Sequence, residues 1–245
     1  MSDQPALPLV LVHGAWHGAW YWATLQAELD RLGVPSFAPD LPGHGVSDQP
    51  LGDLHGDAEF IAAAIERLGT DVVLVAHSYG GAVIGEAALR TGHVKHLVYI
   101  SAFVLDEGES VVKITILDGV PEEPPTLIGA ARSRSDHGTL VLDPRKAIPA
   151  IYGDAPPAVA QAFVARLTEQ PIATFVQPAS GAAWKTTPST FVRCLRDRAI
   201  AINHQDLMAA RCTEVVTFDS DHSPGLTMPV ETAALLAEIT RRPRP

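Results

Sequence analysis

Ser78 lies in the segment of residues 72–81, where a run of apolar residues leads to a serine and then to two glycines. This order predicts a buried strand, a sharp turn with the serine at its apex, and a helix that opens with small residues. The turn is a nucleophile elbow of the form x-x-Ser-x-Gly, with Ala76 at a position where glycine is commoner. We therefore expect Ser78 to be a nucleophile in acyl transfer, and a purely structural strand–helix turn is the alternative.

A histidine follows the last apolar run of the chain, in the segment Asp221-His222-Ser223-Pro224. In folds that carry a catalytic serine on such a strand–helix turn, the catalytic residues follow the chain order serine, acid, histidine. His222 lies beyond the carboxyl end of the predicted last strand, where ligands gather in open parallel sheets. We therefore predict that His222 is the general base, because the runner-up, His204, falls inside a predicted helix.

The acid of such a triad should follow the carboxyl end of the preceding strand, and Asp197 lies just beyond the predicted penultimate strand. Its expected role is to accept a hydrogen bond from Nδ1–H of the histidine, which fixes the tautomer and stabilises the imidazolium. A salt bridge with Arg196 or Arg198 is the structural alternative. Asp106, beyond the strand that ends at Ser101, is the fallback for the acid.

The first apolar run ends in a loop with the sequence His-Gly-Ala-Trp at residues 13–16. Small residues leave the amides of this loop accessible, so we assign the backbone N–H of Ala15 to an oxyanion site. The second donor is the N–H of Tyr79, the residue after the nucleophile. A metal pair of His13 and His17 is disfavoured, because the loop lacks the glutamate of a zinc-protease helix. Hydrogen-bonded structural histidines are the preferred interpretation.

Four aromatic residues are predicted to form an apolar acyl or alcohol site. Trp16, Tyr79 and Phe103 each follow the carboxyl end of a predicted strand, and Trp184 closes the region that precedes the penultimate strand. Core packing is the alternative for all four, and for Trp184 the two interpretations remain open.

Short apolar runs alternate with amphipathic segments, which is typical of parallel strands joined by crossover helices. The predicted strands cover residues 9–12, 34–38, 72–76, 96–101, 190–195 and 214–218. The predicted helices cover residues 20–32, 57–68, 80–90, 203–210 and 230–241. The fold class is therefore α/β, with a mostly parallel central sheet flanked by helices.

The alternation stops after the strand that ends near Ser101, and prolines are frequent over residues 105–188. Within this region residues 158–167 are predicted to form a helix, and the rest is expected to be irregular. We interpret it as a cap inserted over the sheet edge of one domain that spans residues 1–245. A linker between two domains is the weaker interpretation, because the residues after it complete the first domain and cannot form a second.

The composition narrows the classes of partner. The 245 residues carry a net charge of −10 with neutral histidines, which disfavours a nucleic acid or an anionic membrane surface as partner. No signal sequence or long apolar run is apparent, so the expected location is the cytoplasm. The two cysteines, Cys194 and Cys212, are expected to be free thiols.

Together these motifs resemble the plant methylesterase and hydroxynitrile lyase family and its bacterial esterase relatives, which have the α/β-hydrolase fold. The matching segments are His13-Gly14-Ala15-Trp16-His17-Gly18-Ala19-Trp20, Ala76-His77-Ser78-Tyr79-Gly80-Gly81, Asp197-Arg198-Ala199-Ile200 and Asp221-His222-Ser223-Pro224. The resemblance spans nearly the whole chain and is weakest in the cap. It implies hydrolysis, without a cofactor, of small-alcohol esters of hydrophobic and often aromatic acids.

Two departures separate the sequence from the lyases that it resembles. Those lyases carry threonine directly after the first-strand histidine and lysine directly after the catalytic histidine, where this chain has Gly14 and Ser223. The esterases usually have methionine in place of Ser223, so the acid-side pocket is expected to differ from theirs. The sequence therefore favours an esterase over a lyase.

Other functions of the same triad stay open at this point. C–C hydrolases, lactonases and cofactor-free perhydrolases use the same Ser-His-Asp set, and a ligand receptor on this fold is the alternative without catalysis. The expected partner is a small-molecule ester, with neither a nucleic acid nor a membrane, and a homodimer is left open.

Overall fold

The computed structural model describes residues 6–116 and 121–242. The first part of the chain alternates strands and helices as the sequence pattern predicts, with a short 3₁₀ helix at Ala19–Trp22. The elements are β1 (Leu9–Val12), α1 (Ala23–Arg31), β2 (Ser36–Phe37), α2 (Leu54–Leu68), β3 (Val72–Ser78), α3 (Gly80–Ala88) and β4 (Val94–Ala102). The predicted bounds differ from the observed ones by a few residues at most.

The segment after β4, which we call the insertion (residues 103–188), is more ordered in its described residues than the sequence suggests. Its elements are α4 (Val111–Thr115), α5 (Ile128–Ala131), β5 (Arg132–Arg134), β6 (Thr139–Leu142), α6 (Pro144–Ile151), α7 (Pro157–Val164), β7 (Gln170–Pro171), α8 (Ala173–Val176) and a 3₁₀ turn (Ala183–Lys185). Strands β5, β6 and β7 form a small antiparallel sheet.

The helix predicted at residues 158–167 corresponds to α7, but the prediction that the rest of the insertion is irregular is wrong. Its elements are too short to show a clear hydrophobic period. Two of its prolines also begin helices instead of breaking them: Pro144 and Pro157 stand at the first position of α6 and α7, where no backbone N–H is needed. Asp143 caps α6 by accepting from the N–H of Arg145 at 2.9 Å.

The last part of the chain returns to the alternating pattern and completes the sheet. Its elements are β8 (Ser189–Cys194), α9 (Ile202–Ala209), β9 (Glu214–Phe218), α10 (Pro224–Thr227) and α11 (Pro229–Thr240). The six strands of the central sheet are all parallel and follow the order β2-β1-β3-β4-β8-β9. The predicted fold class is confirmed. After β2, which lies at one edge of the sheet, the chain places β3 on the other side of β1. Such a reversal opens a crevice at the carboxyl ends of β1 and β3.

Strands β1 and β3 are buried on both faces, which explains why they read as apolar runs and do not alternate. In β3 the side chains of Leu74 and Ala76 pack toward α2 and α3, while those of Val73 and Val75 pack toward α1 and α11. Within the described part of the chain the longest helix, α2, has 15 residues, and no helix is long and apolar enough to cross a bilayer.

Candidate active site

The turn at Ser78 joins β3 to α3 and holds a strained backbone. Ser78 has a φ of 54°, a left-handed conformation that costs a non-glycine residue on the order of 1–3 kcal/mol. Its carbonyl accepts a hydrogen bond from the N–H of Phe103 at 3.1 Å, which ties the turn to the end of β4. At Gly80 a Cβ atom would lie 2.7 Å from the carbonyl oxygens of Val12 and His13. The small residue is therefore required, because the first turn of α3 passes directly against the end of β1.

The imidazole of His222 and the carboxyl group of Asp197 form a buried pair. Nδ1 of His222 lies 2.8 Å from Oδ2 of Asp197, and the two side chains are 3% and 0% exposed. His222 follows β9 and Asp197 follows β8, so neighbouring parallel strands bring them together. In this arrangement the Nδ1–H donates to the carboxylate, and the lone pair of Nε2 stays available for a proton.

The backbone after β8 and a side chain of α9 hold the carboxyl group of Asp197. Its Oδ1 accepts from the N–H groups of Ala199 and Ile200 at 2.7 and 2.9 Å. Its Oδ2 accepts from Nε2 of Gln205 at 3.2 Å and from the hydroxyl of Ser101. These donors fix the orientation of both carboxylate oxygens before any substrate binds.

The alternatives for the acid make other contacts. Arg196 pairs with Asp154 at 2.8 Å and with Asp219, so its guanidinium group bonds other carboxylates than that of Asp197. Arg198 donates to a backbone carbonyl of the insertion. Asp106 forms an ion pair with Lys185 at 2.6 Å. The structure thus brings Asp197 to His222 and leaves Asp106 in a different cluster.

Sequence reasoning missed Ser101, which lies at the centre of the pair. Its hydroxyl donates to Asp197 and also lies 3.4 Å from Nδ1 of His222. Ser101 is fully buried and has a φ of 39° near the end of β4. Its one signal in the sequence was a polar residue at the end of an otherwise apolar strand.

His77, the residue before the nucleophile, was also missed. Its ring is buried, and Nε2–H donates to the backbone carbonyl of His222 at 2.8 Å. Burial, aided by the nearby imidazoles of His222 and His17, holds the pKa of His77 well below its usual range. The ring is therefore neutral, with its proton on Nε2.

The loop after β1 passes directly against the nucleophile. A Cβ atom at Gly14 would lie 3.0 Å from Cβ of Ser78, and Ala15 lines the same cavity as Ser78 and His222. The N–H of Tyr79 stands at the N-terminus of α3, where backbone amides have no partner within the helix. The two predicted oxyanion donors therefore belong to backbone segments on either side of the serine.

Both histidines of this loop are buried and hydrogen-bonded, in line with the structural interpretation. Nδ1 of His13 donates to the carbonyl of Gly14 at 2.9 Å, and its Nε2 accepts from the N–H of Leu41 at 3.1 Å. Nδ1 of His17 donates to the carbonyl of Ala15 at 2.6 Å. Burial lowers the pKa of His17 to about 3 and that of His13 well below its usual range.

A cavity of about 160 Å³ opens beside Ser78 and His222. More than half of its wall comes from the insertion, which covers the carboxyl end of the sheet. The residues that line it are Ala15, Trp16, His17, Ser78, Phe103, Val111, Val112, Thr115, Ile116, Glu122, Ile128, Arg132, Ile151, Phe175, Ala199, Ile200 and His222.

Two of the four predicted pocket aromatics do not line this cavity. Trp16 and Phe103 do, but the buried side chain of Tyr79 turns toward α2 and donates its hydroxyl to Asp57 at 2.8 Å. Trp184 donates its indole N–H to the carbonyl of Leu105 at 3.0 Å and packs against the core. The expectation for these two side chains is corrected, because neither the strand-end position of Tyr79 nor the place of Trp184 at the end of the insertion determines which way the side chain points.

Comparison with known proteins places the chain among hydrolases. Residues 9–235 match the model of the alpha/beta hydrolase family. The chain is 30% identical over 236 residues to alpha/beta hydrolase nvfD of Aspergillus novofumigatus, covering 90% of this chain and 91% of that protein. It is 25% identical over 258 residues to pFDCC methylesterase MES16 of Arabidopsis thaliana, covering 95% and 94%. The resemblance to plant methylesterases drawn from the sequence motifs is therefore confirmed.

Among solved structures, a pyrethroid hydrolase from Sphingobium faniae superposes with a TM-score of 0.83. The match covers 98% of this chain and 99% of that chain at 24% sequence identity. At this level of identity the likeness demonstrates a shared fold.

Proposed function

The chain belongs to the alpha/beta hydrolase family, and on this premise we propose that it hydrolyses carboxylic esters through Ser78, His222 and Asp197. The observation that carries the proposal is the 2.8 Å contact between Nδ1 of His222 and the buried carboxylate of Asp197, at a cavity that Ser78 also lines. A base oriented by a carboxylate beside a serine on a strained turn is the arrangement that nucleophilic acyl transfer needs.

In the first half of the reaction, Nε2 of His222 takes the proton of Ser78 Oγ as that oxygen attacks the ester carbonyl carbon. The negative charge that develops on the carbonyl oxygen is stabilised by the N–H groups of Ala15 and Tyr79. The tetrahedral intermediate then expels the alcohol, which receives the proton from His222. An acyl ester on Ser78 remains.

In the second half, a water molecule gives a proton to His222 and attacks the acyl ester. A second tetrahedral intermediate then collapses to the carboxylic acid, and His222 returns the proton to Oγ of Ser78 as it leaves. Throughout, Asp197 accepts from Nδ1–H and stabilises the imidazolium form of His222. The donors around Asp197 keep this acceptor in place.

The shape of the site supports a hydrophobic ester with a small or aryl alcohol. Trp16, Phe103 and Phe175 form an aromatic wall, with ring centroids of Trp16 and Phe175 5.6 Å apart. The names of the relatives agree with ester hydrolysis, since one is a methylesterase and another a pyrethroid hydrolase. On this proposal the insertion acts as the cap that sets substrate selection.

Fluorophosphonate labelling and a panel of methyl and p-nitrophenyl esters test the proposal together. Wild type should hydrolyse at least one ester of a hydrophobic acid and carry the label on Ser78. Ser78→Ala should lose both, with kcat lower by several orders of magnitude, because triad losses reach about 10⁶-fold. A label on another serine, or an active Ser78→Ala variant, contradicts the proposal. A folded wild type without ester turnover or label would instead favour a ligand receptor.

A further inference from the structure

Trp16, directly after the predicted oxyanion residue, has a left-handed backbone. Its φ is 66°. Residues other than glycine adopt this backbone conformation only when surrounding contacts impose it. A change of φ at this residue would rotate the neighbouring peptide, which carries the carbonyl of Ala15. The contacts that hold Trp16 therefore bear on the geometry of the site.

Three polar atoms of Trp16 bond to the insertion. Its backbone N–H donates to Oε1 of Gln170 at 3.0 Å, and its indole N–H donates to the carbonyl of Leu140 at 2.9 Å. Its carbonyl accepts from the N–H of Thr168 at 2.9 Å. These partners lie in or next to β6 and β7, so the small antiparallel sheet is hydrogen-bonded to the loop after β1.

Gln170 is the one side chain among these three partners, and its amide is held firmly. The residue is 1% exposed, and its Oε1 also lies 2.9 Å from Nε2 of His44. Its Nε2 donates to the hydroxyl of Thr174 at 3.0 Å. The amide cannot turn over, because its NH₂ group would then face the N–H of Trp16.

We propose that Gln170 is a positioning residue for the oxyanion site. It fixes the peptide between Ala15 and Trp16 from one side, while Nδ1 of His17 fixes the carbonyl of the same peptide from the other. The N–H of Ala15 lies one peptide away, so its direction depends on these two hydrogen bonds. The inference rests on the proposed esterase function, and it makes the insertion part of the catalytic geometry as well as a wall of the cavity.

The first test removes the acceptor with Gln170→Leu. If the hydrogen bond to Gln170 aligns the oxyanion donor, kcat should fall about 10- to 100-fold, since a catalytic group misplaced by about 1 Å lowers the rate up to 10²-fold. The KM and the affinity for the product acid should change less than about threefold. The affinity for a trifluoromethyl ketone, which forms a tetrahedral adduct on Ser78, should fall by the same factor as kcat.

Two further variants separate positioning from general stability. Gln170→Glu keeps an oxygen for the N–H of Trp16, so it should recover kcat to within about fivefold of wild type. Gln177→Leu is the matched control, because Gln177 also joins the insertion to the main sheet domain but bonds Leu54 and Asp53 at the start of α2. It should lower stability and leave kcat and the ketone affinity unchanged.

Hydrogen–deuterium exchange over residues 14–17 gives a readout that does not depend on turnover. Gln170→Leu should speed exchange there, and Gln177→Leu should not. If Gln170→Leu does not fold, Gln170→Asn, which withdraws the amide by one methylene group, carries the same expectations. Unchanged kcat, ketone affinity and exchange in a folded Gln170 variant would overturn the inference while leaving ester hydrolysis intact. Absence of turnover and of Ser78 labelling in wild type would refute the proposed function, and the exchange data would still decide whether Gln170 holds the loop.

Discussion

Nε2 of His77 donates a hydrogen bond to the backbone carbonyl of His222 over 2.8 Å. Since His77 directly precedes Ser78, one strand end carries the nucleophile and also anchors the backbone of the general base. The ring is stacked on Tyr21, with centroids 4.5 Å apart and an interplanar angle of 14°. The spacing between nucleophile and base is thus set by a contact within the protein.

Replacing that anchor tests its importance. His77→Phe keeps an aromatic ring against Tyr21 but leaves the carbonyl of His222 without its donor. A buried polar group that loses its partner costs roughly 1–3 kcal/mol, so we expect a drop of that size in the free energy of unfolding. The kcat should fall about tenfold, because the base is less well placed. Chemical denaturation and ester kinetics measure the two effects, and an unchanged kcat would show that other contacts hold His222.

Asp197→Asn should reduce kcat by about 10⁴-fold, because an amide at this position favours the wrong tautomer of the histidine. The matched control is Asp106→Asn, which removes the carboxylate that pairs with Lys185 at 2.6 Å. It should change kcat less than about twofold. Steady-state kinetics of the two variants decide the assignment, and the opposite ranking would make Asp106 the acid.

Asp57 should make stability depend on pH. Burial raises its pKa to about 7 from an ordinary value of 3.8, and the nearby Asp53 adds to the rise. Between those pH values the folded protein holds a proton that the unfolded chain has lost, so the free energy of unfolding falls as the pH rises from about 4 to about 7. Asp57→Asn removes this pH dependence. The free energy of unfolding of the variant, minus that of wild type, should therefore rise by roughly 3–5 kcal/mol between about pH 4 and about pH 7 and stay constant above about pH 7.

Asp53→Asn is the control for this titration. The N–H of Gly56 and the amide of Gln177 lower the pKa of Asp53. The ionised carboxylate of Asp53 therefore stabilises the fold above its ordinary pKa, and this stabilisation is lost as the pH falls. The free energy of unfolding of Asp53→Asn, minus that of wild type, should consequently decrease as the pH rises. Urea denaturation of wild type and both variants at pH 4, 5.5, 7 and 8.5 gives the curves. Parallel curves for wild type and Asp57→Asn would contradict the raised pKa.

The aromatic wall of the cavity should favour aromatic acyl groups. Burying a phenyl group stabilises binding by about 1.5–3 kcal/mol, so kcat/KM for a phenylacetate ester should exceed that for an acetate ester with the same leaving group about 10- to 100-fold. Phe103→Ala should reduce this ratio. Trp184→Ala should not, because Trp184 contacts the backbone of Leu105 and not the cavity. Equal ratios in wild type would count against an aromatic acyl site.

We expect no cyanide release from mandelonitrile above the buffer rate. A departing cyanide anion needs a nearby cation, and the residue after His222 is Ser223, which is uncharged and fully buried. A threonine in place of Gly14 would place its Cβ 3.0 Å from that of Ser78, so the loop or the serine would have to shift to accommodate the side chain that the lyases carry. Cyanide release that depends on the enzyme and is abolished by Ser78→Ala would refute this prediction.

The sequence by itself determined the elements of the central sheet and the local turns that carry Ser78, Asp197 and His222. Both follow from short-range physics: apolar runs and helix periods are visible over a few residues, and a nucleophile turn requires small residues at fixed spacing. Chain order along a parallel sheet then brings loops at the carboxyl ends of neighbouring strands to one edge.

Only the tertiary structure decided which side chains meet across long separations. Ser101 reaches Asp197 across 96 positions, and Gln170 reaches Trp16 across 154. The direction of Tyr79 was decided in the same way, by the buried carboxyl group of Asp57 on another helix. The physical reason is that such contacts depend on how whole elements pack, and no period or spacing along the chain encodes that packing locally.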